Sequence, residues 1–147
     1  MNKKGFTLVE LLAVIVVITI IALIGTVSIN VVRNKIEENL FNGKIETLLT
    51  AAQTYGENNK NEFTAANGYT IDHPISPGFL IQNKYYKTDE TNSDGSKAFK
   101  NMDGTDIKDS LKIVVKRVNN RISACLETSD TNKSLLDYNK FEKHYCK

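Results

Sequence analysis

Hydrophobic and polar residues alternate in this chain with a period that changes along its length. From Phe6 to Ile29 the sequence is almost wholly apolar, and Glu10 is its one charged residue. As a helix these 24 residues would reach roughly 36 Å, enough to cross a hydrocarbon core of about 30 Å with some tilt. Many of them are Val or Ile, weak helix formers in water, but in lipid a helix satisfies every backbone group within the segment. From Asn30 to Asn58 the composition becomes mixed while the helical period persists. Phe41, Ile45, Leu48, Ala52 and Tyr55 recur at steps of four, three, four and three, and Ile36, Leu40 and Leu49 widen that stripe. No proline precedes Pro74, and Gly43 alone costs a helix only about 1 kcal/mol. The spacing therefore predicts one helix that runs on from the membrane segment into a soluble head. Gly56-Glu57-Asn58-Asn59 predicts its stop.

The head, residues 59–147, loses the helical period. Asn67-Gly68, Pro74 and Pro77-Gly78 punctuate its first part, and Phe79, Leu80, Ile81, Tyr85 and Tyr86 supply apolar mass for a short helix or strand. Residues 88–110 are polar and turn-rich, with Asp94-Gly95 and Asp103-Gly104, which predicts a long exposed loop carrying at most a short hairpin. Two runs of period two follow, Leu111–Val118 and Arg121–Glu127, separated by Asn119-Asn120, which suit a two-residue hairpin turn. That turn sets the register. It opposes Val115 to Ala124, Ile113 to Leu126 and Arg117 to Ile122 on a face turned to the long helix. The other face opposes Val114 to Cys125, Lys116 to Ser123 and Lys112 to Glu127. Cys125 then needs cover, and the C-terminal tail offers it, with Cys146 and the apolar anchors Leu135, Tyr138, Phe141 and Tyr145. The expected fold class is α+β: a long N-terminal helix, half membrane-spanning and half amphipathic, on a small antiparallel sheet.

Two features of charge change this picture. Lys3 and Lys4 precede the apolar run, so the positive-inside rule keeps the N-terminus cytoplasmic and puts the head outside. There Cys125 and Cys146 would pair as one disulfide, whereas in the cytosol two free thiols would be expected. Glu10 is the second feature. A carboxylate at hydrocarbon depth costs roughly 3 kcal/mol or more without a partner, which makes it a functional-site candidate. Phe6 and Glu10, four apart, share one helical face. An ordinary secretory signal would have a shorter apolar core, no acid within it, and a cleavage site of small residues after it.

The stretch Gly5-Phe6-Thr7-Leu8-Val9-Glu10-Leu11-Leu12 resembles the processing site of the type IV pilin superfamily, which includes pilins and the pseudopilins of secretion and competence machines. The resemblance implies a leader, residues 1–5, that a prepilin peptidase removes between Gly5 and Phe6 before methylating the new Phe6 amine. It implies that Glu10 pairs with the Phe6 amine of a neighbouring subunit. It also implies a single-pass precursor, extracted by a cytoplasmic ATPase through a membrane platform protein into a homo-oligomeric surface filament, the pilus, used for adhesion, twitching motility or DNA uptake. The filament core would be residues 6–29 and the amphipathic half residues 30–58. One departure stands out: many pilins carry a proline late in the apolar run, where this chain has Gly25-Thr26-Val27-Ser28. Past the first third of the chain only the layout matches, a long helix followed by a sheet-bearing head and a cysteine pair.

Other chemistry is thin. The chain has 19 basic and 17 acidic residues, and without Lys3 and Lys4 the two balance at 17 each, which argues against a dedicated nucleic-acid binder. Lys84-Tyr85-Tyr86-Lys87 interleaves bases and aromatics as single-strand platforms do, but tyrosines at a core edge between solvated lysines are the commoner meaning of such a run. Asp103, Asp106 and Asp109 invite a calcium site yet match no calcium-loop pattern. His73 and His144 show no ligand spacing with the cysteines, so no metal or other cofactor is expected. Asn132-Lys133-Ser134 is a glycosylation triplet of a frequent kind. No serine–histidine or cysteine–histidine pair suggests an enzyme. Three readings follow: a pilin; a pseudopilin of a type II secretion or competence machine; and a membrane-anchored binding protein that never polymerises and would keep residues 1–5.

Overall fold

The computed structural model describes residues 7–62, 75–118 and 120–147, the side chains of residues 24–28 and 118 excepted. Helix α1 runs from Leu8 to Asn58, ending where the Gly-Glu-Asn-Asn stop predicts, and a 3-10 turn, Lys60–Glu62, follows it. The chain divides into two compact units, Met1–Asn39 and Leu40–Lys147. In the first, the apolar side chains from Leu8 to Leu23 are exposed. Among the described residues no helix is long and apolar enough to cross a membrane, and the side chains of residues 24–28, in the distal part of the expected span, lie outside the description.

The second unit has its own core. Phe41, Ile45, Leu48, Ala52 and Tyr55 are all buried, so the stripe read from the spacing is the face that α1 gives to this core. Leu49 packs against it, whereas Ile36 and Leu40, expected to widen the stripe, are exposed at 52% and 69%. Helix α2, Pro77–Gln82, is capped by Ser76, whose Oγ accepts from the Phe79 amide, and Pro77 occupies its first turn. Strands β1, Ile113–Val118, and β2, Arg121–Leu126, form one antiparallel hairpin in the predicted register, with Ile113 opposite Leu126, Val115 opposite Ala124 and Val114 opposite Cys125. Asn120 adopts the positive φ such a turn needs, and Asn119 lies outside the described residues. Ile113, Val115, Ile122 and Leu126 enter the core, as the period of two requires.

Residues 88–110 correct the expectation of an exposed loop. Phe99, Ile107 and Leu111 are buried in the core and Ala98 is fully buried as well. The segment is two successive turns of the same design. Asn92-Ser93-Asp94-Gly95-Ser96 and Asn101-Met102-Asp103-Gly104-Thr105 each close with the first Asn amide donating to the fifth carbonyl, at 2.9 Å in both. Gly95 and Gly104 sit at φ +81° and +88°, where a side chain would be strained. Bridges Thr91–Lys97 and Lys100–Asp106 complete the pair. Between the turns Phe99 points inward, and Lys44 of α1 holds the segment down. Its ammonium donates to both Glu90 oxygens, at 2.7 and 2.8 Å, and to the Lys100 carbonyl, and it lies 4.2 Å from the centre of the Phe99 ring.

The tail folds back in short helices that the residue pattern did not suggest, α3 (Asp130–Leu135) and α4 (Tyr138–Phe141), followed by a 3-10 turn, Glu142–His144. Ser129 and Asp137 cap them, which is the signal that would have found them.

Candidate functional site

Gly5 and Phe6 lie outside the described residues, so the site begins at Thr7. There Thr7 and Glu10 form a capping box. The Thr7 amide and hydroxyl both donate to Glu10 Oε2, at 2.8 and 2.9 Å, and the Glu10 amide donates back to Thr7 Oγ1 at 3.3 Å. The pattern Thr7-x-x-Glu10 before an apolar run carries this signal in the sequence, where the lone charge of Glu10 is the more conspicuous feature. The carboxylate thus has local donors on its own chain, and α1 past it presents bare hydrocarbon. Thr19, the other polar side chain described in this run, turns its hydroxyl onto the Ile15 carbonyl at 2.7 Å.

In the head, Cys125 and Cys146 are joined by a disulfide, with their Cα atoms 5.0 Å apart. The Cys146 amide donates to the Leu126 carbonyl at 2.9 Å, and Tyr145 forms a parallel bridge with Leu126, so the tail extends the sheet edge beside the bond. The tail also meets α1. Phe141 sits edge-on to Phe41 at 5.3 Å, Lys143 pairs with Glu46 at 2.8 Å, and His144 Nε2 lies 3.0 Å from Asn42 Oδ1.

His144 is buried, and burial, with the nearby Lys143 charge, holds its imidazole below the ordinary 6.5, against a smaller opposing pull from Glu46. The unfolded chain therefore binds a proton at a pH where the folded head does not. The head should keep its full stability above about pH 6.5 and lose part of it as the pH falls from there toward the carboxylate range. Thermal melts across that interval should show the decline, and His144→Gln, which keeps a donor for Asn42, should flatten it.

The other candidates find structural employment. Burial pushes the Asp106 carboxyl up, but donors from Asn92 and the Lys108 and Phe99 amides, with the Lys108 charge, outweigh it and hold the group below its usual range. Hydrogen bonding from Thr105 lowers Asp103 likewise. Asp109 sits against Gly78, where an added Cβ would lie 2.3 Å from its Oδ1. No group of three or more His, Cys, Asp or Glu side chains able to hold a metal occurs among the described residues, and His73 lies outside them. Tyr86 is buried edge-to-face with Phe99, and Tyr85, half-buried, packs edge-to-face on Tyr55, so neither is a free stacking platform.

Asn132 of the glycosylation triplet is fully buried. Its Oδ1 accepts from the Lys112 amide at 2.9 Å, and its Nδ2 donates to the Lys112 and Glu127 carbonyls at 2.7 and 2.9 Å. The carboxamide is spent splicing the end of the hairpin to α3 and is closed to a glycan in the folded head. Asn132→Asp would turn a carboxylate oxygen on two carbonyls and should cost about 2 kcal/mol in denaturant unfolding.

Residues 1–26 match the family model of the prokaryotic N-terminal methylation motif. No curated protein and no solved structure matches the chain.

Proposed function

We propose that this chain, whose N-terminus carries the methylation signature of type IV pilins and pseudopilins, is a structural subunit of a type IV pilus rather than an enzyme. The signature implies a membrane-anchored precursor and processing by prepilin peptidase. In this reading the enzyme cuts after Gly5 and methylates Phe6, and the subunit leaves the membrane to join a helical filament with its head outward. The observation that supports it best is Glu10, the one charge in an apolar helical run that the isolated chain leaves uncovered. Lipid covers such a run before assembly and sister helices cover it afterwards. The amine of a neighbour's Phe6 then neutralises Glu10, and repetition of that non-closing contact builds a filament.

The capping box makes the test sharper. Glutamine also serves as the last residue of such a box, so Glu10→Gln should preserve the start of α1 while removing the charge. The expected result is a membrane-inserted, trimmed subunit that fails to assemble. Abundant filaments from Glu10→Gln would end the pairing idea. Intact mass of the surface fraction should begin at methylated Phe6; a mass that includes Met1 would favour the anchored binding protein. Long surface fibres in electron micrographs fit a pilin, and trimmed subunits without them fit a pseudopilin.

A further inference from the structure

Within the head, an open groove of about 780 Å³ runs between the outward face of α1 and the segment Lys84–Lys87. Its floor is Gly43, Thr47, Thr50 and Thr54, and two local rules are broken along it. Helix α2 ends in a Schellman turn, with the Tyr85 amide donating to Leu80 and the Lys84 amide to Ile81, at 2.9 and 3.2 Å. Glycine is the usual residue at the left-handed position of that turn. This chain puts a lysine there, at φ 62°. Across the groove, Gly43 interrupts a helix where a Cβ would meet nothing within 4 Å among the described residues, so their packing gives no reason for it. Departures from local preference that the fold does not require concentrate where a molecule does something.

The groove's chemistry selects an occupant. Lys84 and Lys87 are exposed and form no ion pair among the described residues, while Glu46, the acid at the groove, is already paired with Lys143. The three threonine hydroxyls donate to their own helix carbonyls at 2.8 to 2.9 Å, so toward a ligand each oxygen can act only as an acceptor. Tyr86 is buried against Phe99 and the half-buried Tyr85 packs edge-to-face on Tyr55, which leaves little aromatic face for a nucleobase. We infer that this groove binds an extended acidic polysaccharide, its anionic groups on Lys84 and Lys87, its hydroxyls donating to the threonines, and its backbone passing over Gly43. The inference concerns the head alone and stands whether or not the chain polymerises.

The test uses the full chain in detergent micelles and polygalacturonate as the probe, with neutral dextran and oligothymidylate beside it. Polygalacturonate should bind, more weakly at high salt. The double variant Lys84→Gly, Lys87→Gln should lose about ten-fold or more in affinity. Its melting temperature should be unchanged or raised, because glycine relaxes the turn. Equal binding of dextran, an unaltered affinity in the double variant, or tighter binding of oligothymidylate than of polygalacturonate would each overturn the assignment.

Discussion

Replacing Phe99 by alanine should cost the head about 3–5 kcal/mol, the range for emptying a buried aromatic site. Phe99 has no exposed surface, packs edge-to-face on Tyr86 with ring centres 5.7 Å apart, and carries the Lys44 ammonium over its ring. Truncating it opens a cavity and removes the ring beneath that charge, so Lys44 and Glu90 lose the wall that positions them. Phe99→Leu should cost less, about 1–2 kcal/mol, since most of the volume is kept. Denaturant unfolding of the two variants checks the grading. Were residues 88–110 the solvated loop that their polar composition suggests, Phe99→Ala would cost under about 0.5 kcal/mol.

The second large effect is expected from the disulfide. Cys125 and Cys146 are 21 positions apart, and closing a loop of that size restricts the unfolded chain by roughly 3 kcal/mol. The doubly substituted head, Cys125→Ala with Cys146→Ala, should therefore melt roughly 10–20 °C lower. The loss should come without a change of fold, because the β-bridge between Tyr145 and Leu126 keeps a template for the tail. The tail's contacts with α1 at Phe41, Asn42 and Glu46 should then loosen first, seen as faster amide exchange over residues 138–147. Equal melting of the oxidised and reduced protein would show that the bond adds nothing. A head with few buried aromatics and no tryptophan has little else to offset such a loss.

The parts of the candidate site differ in how visible they are beforehand. Glu10 stands out because one acid in a long apolar run is a local anomaly needing no neighbours to be noticed. Its capping box is equally local and was hidden only by the stronger interest of its charge. Lys84 could not be singled out in this way. Its neighbours Tyr85 and Tyr86 drew attention to the segment as a stacking platform, while the φ of Lys84 and the empty space beside Gly43 are facts of three dimensions. The glycosylation triplet shows the converse. Asn132-Lys133-Ser134 advertises a modification that burial of the Asn132 carboxamide closes off.

What the amino-acid order determined unaided is whatever repeats with a period or needs only adjacent residues. The span of α1, the buried stripe from Phe41 to Tyr55 and the hairpin register around Asn119-Asn120 belong here, since 3.6-residue and two-residue repeats translate directly into faces. Tertiary structure decided the rest. It buries Phe99 from a polar segment by holding the two turns that flank it against Lys44, and it leaves Leu40 bare although Phe41 beside it is buried, because the two side chains lie about 100° apart around the helix. Contacts between residues tens of positions apart settle such choices, and no local pattern encodes which distant surface will be there to meet.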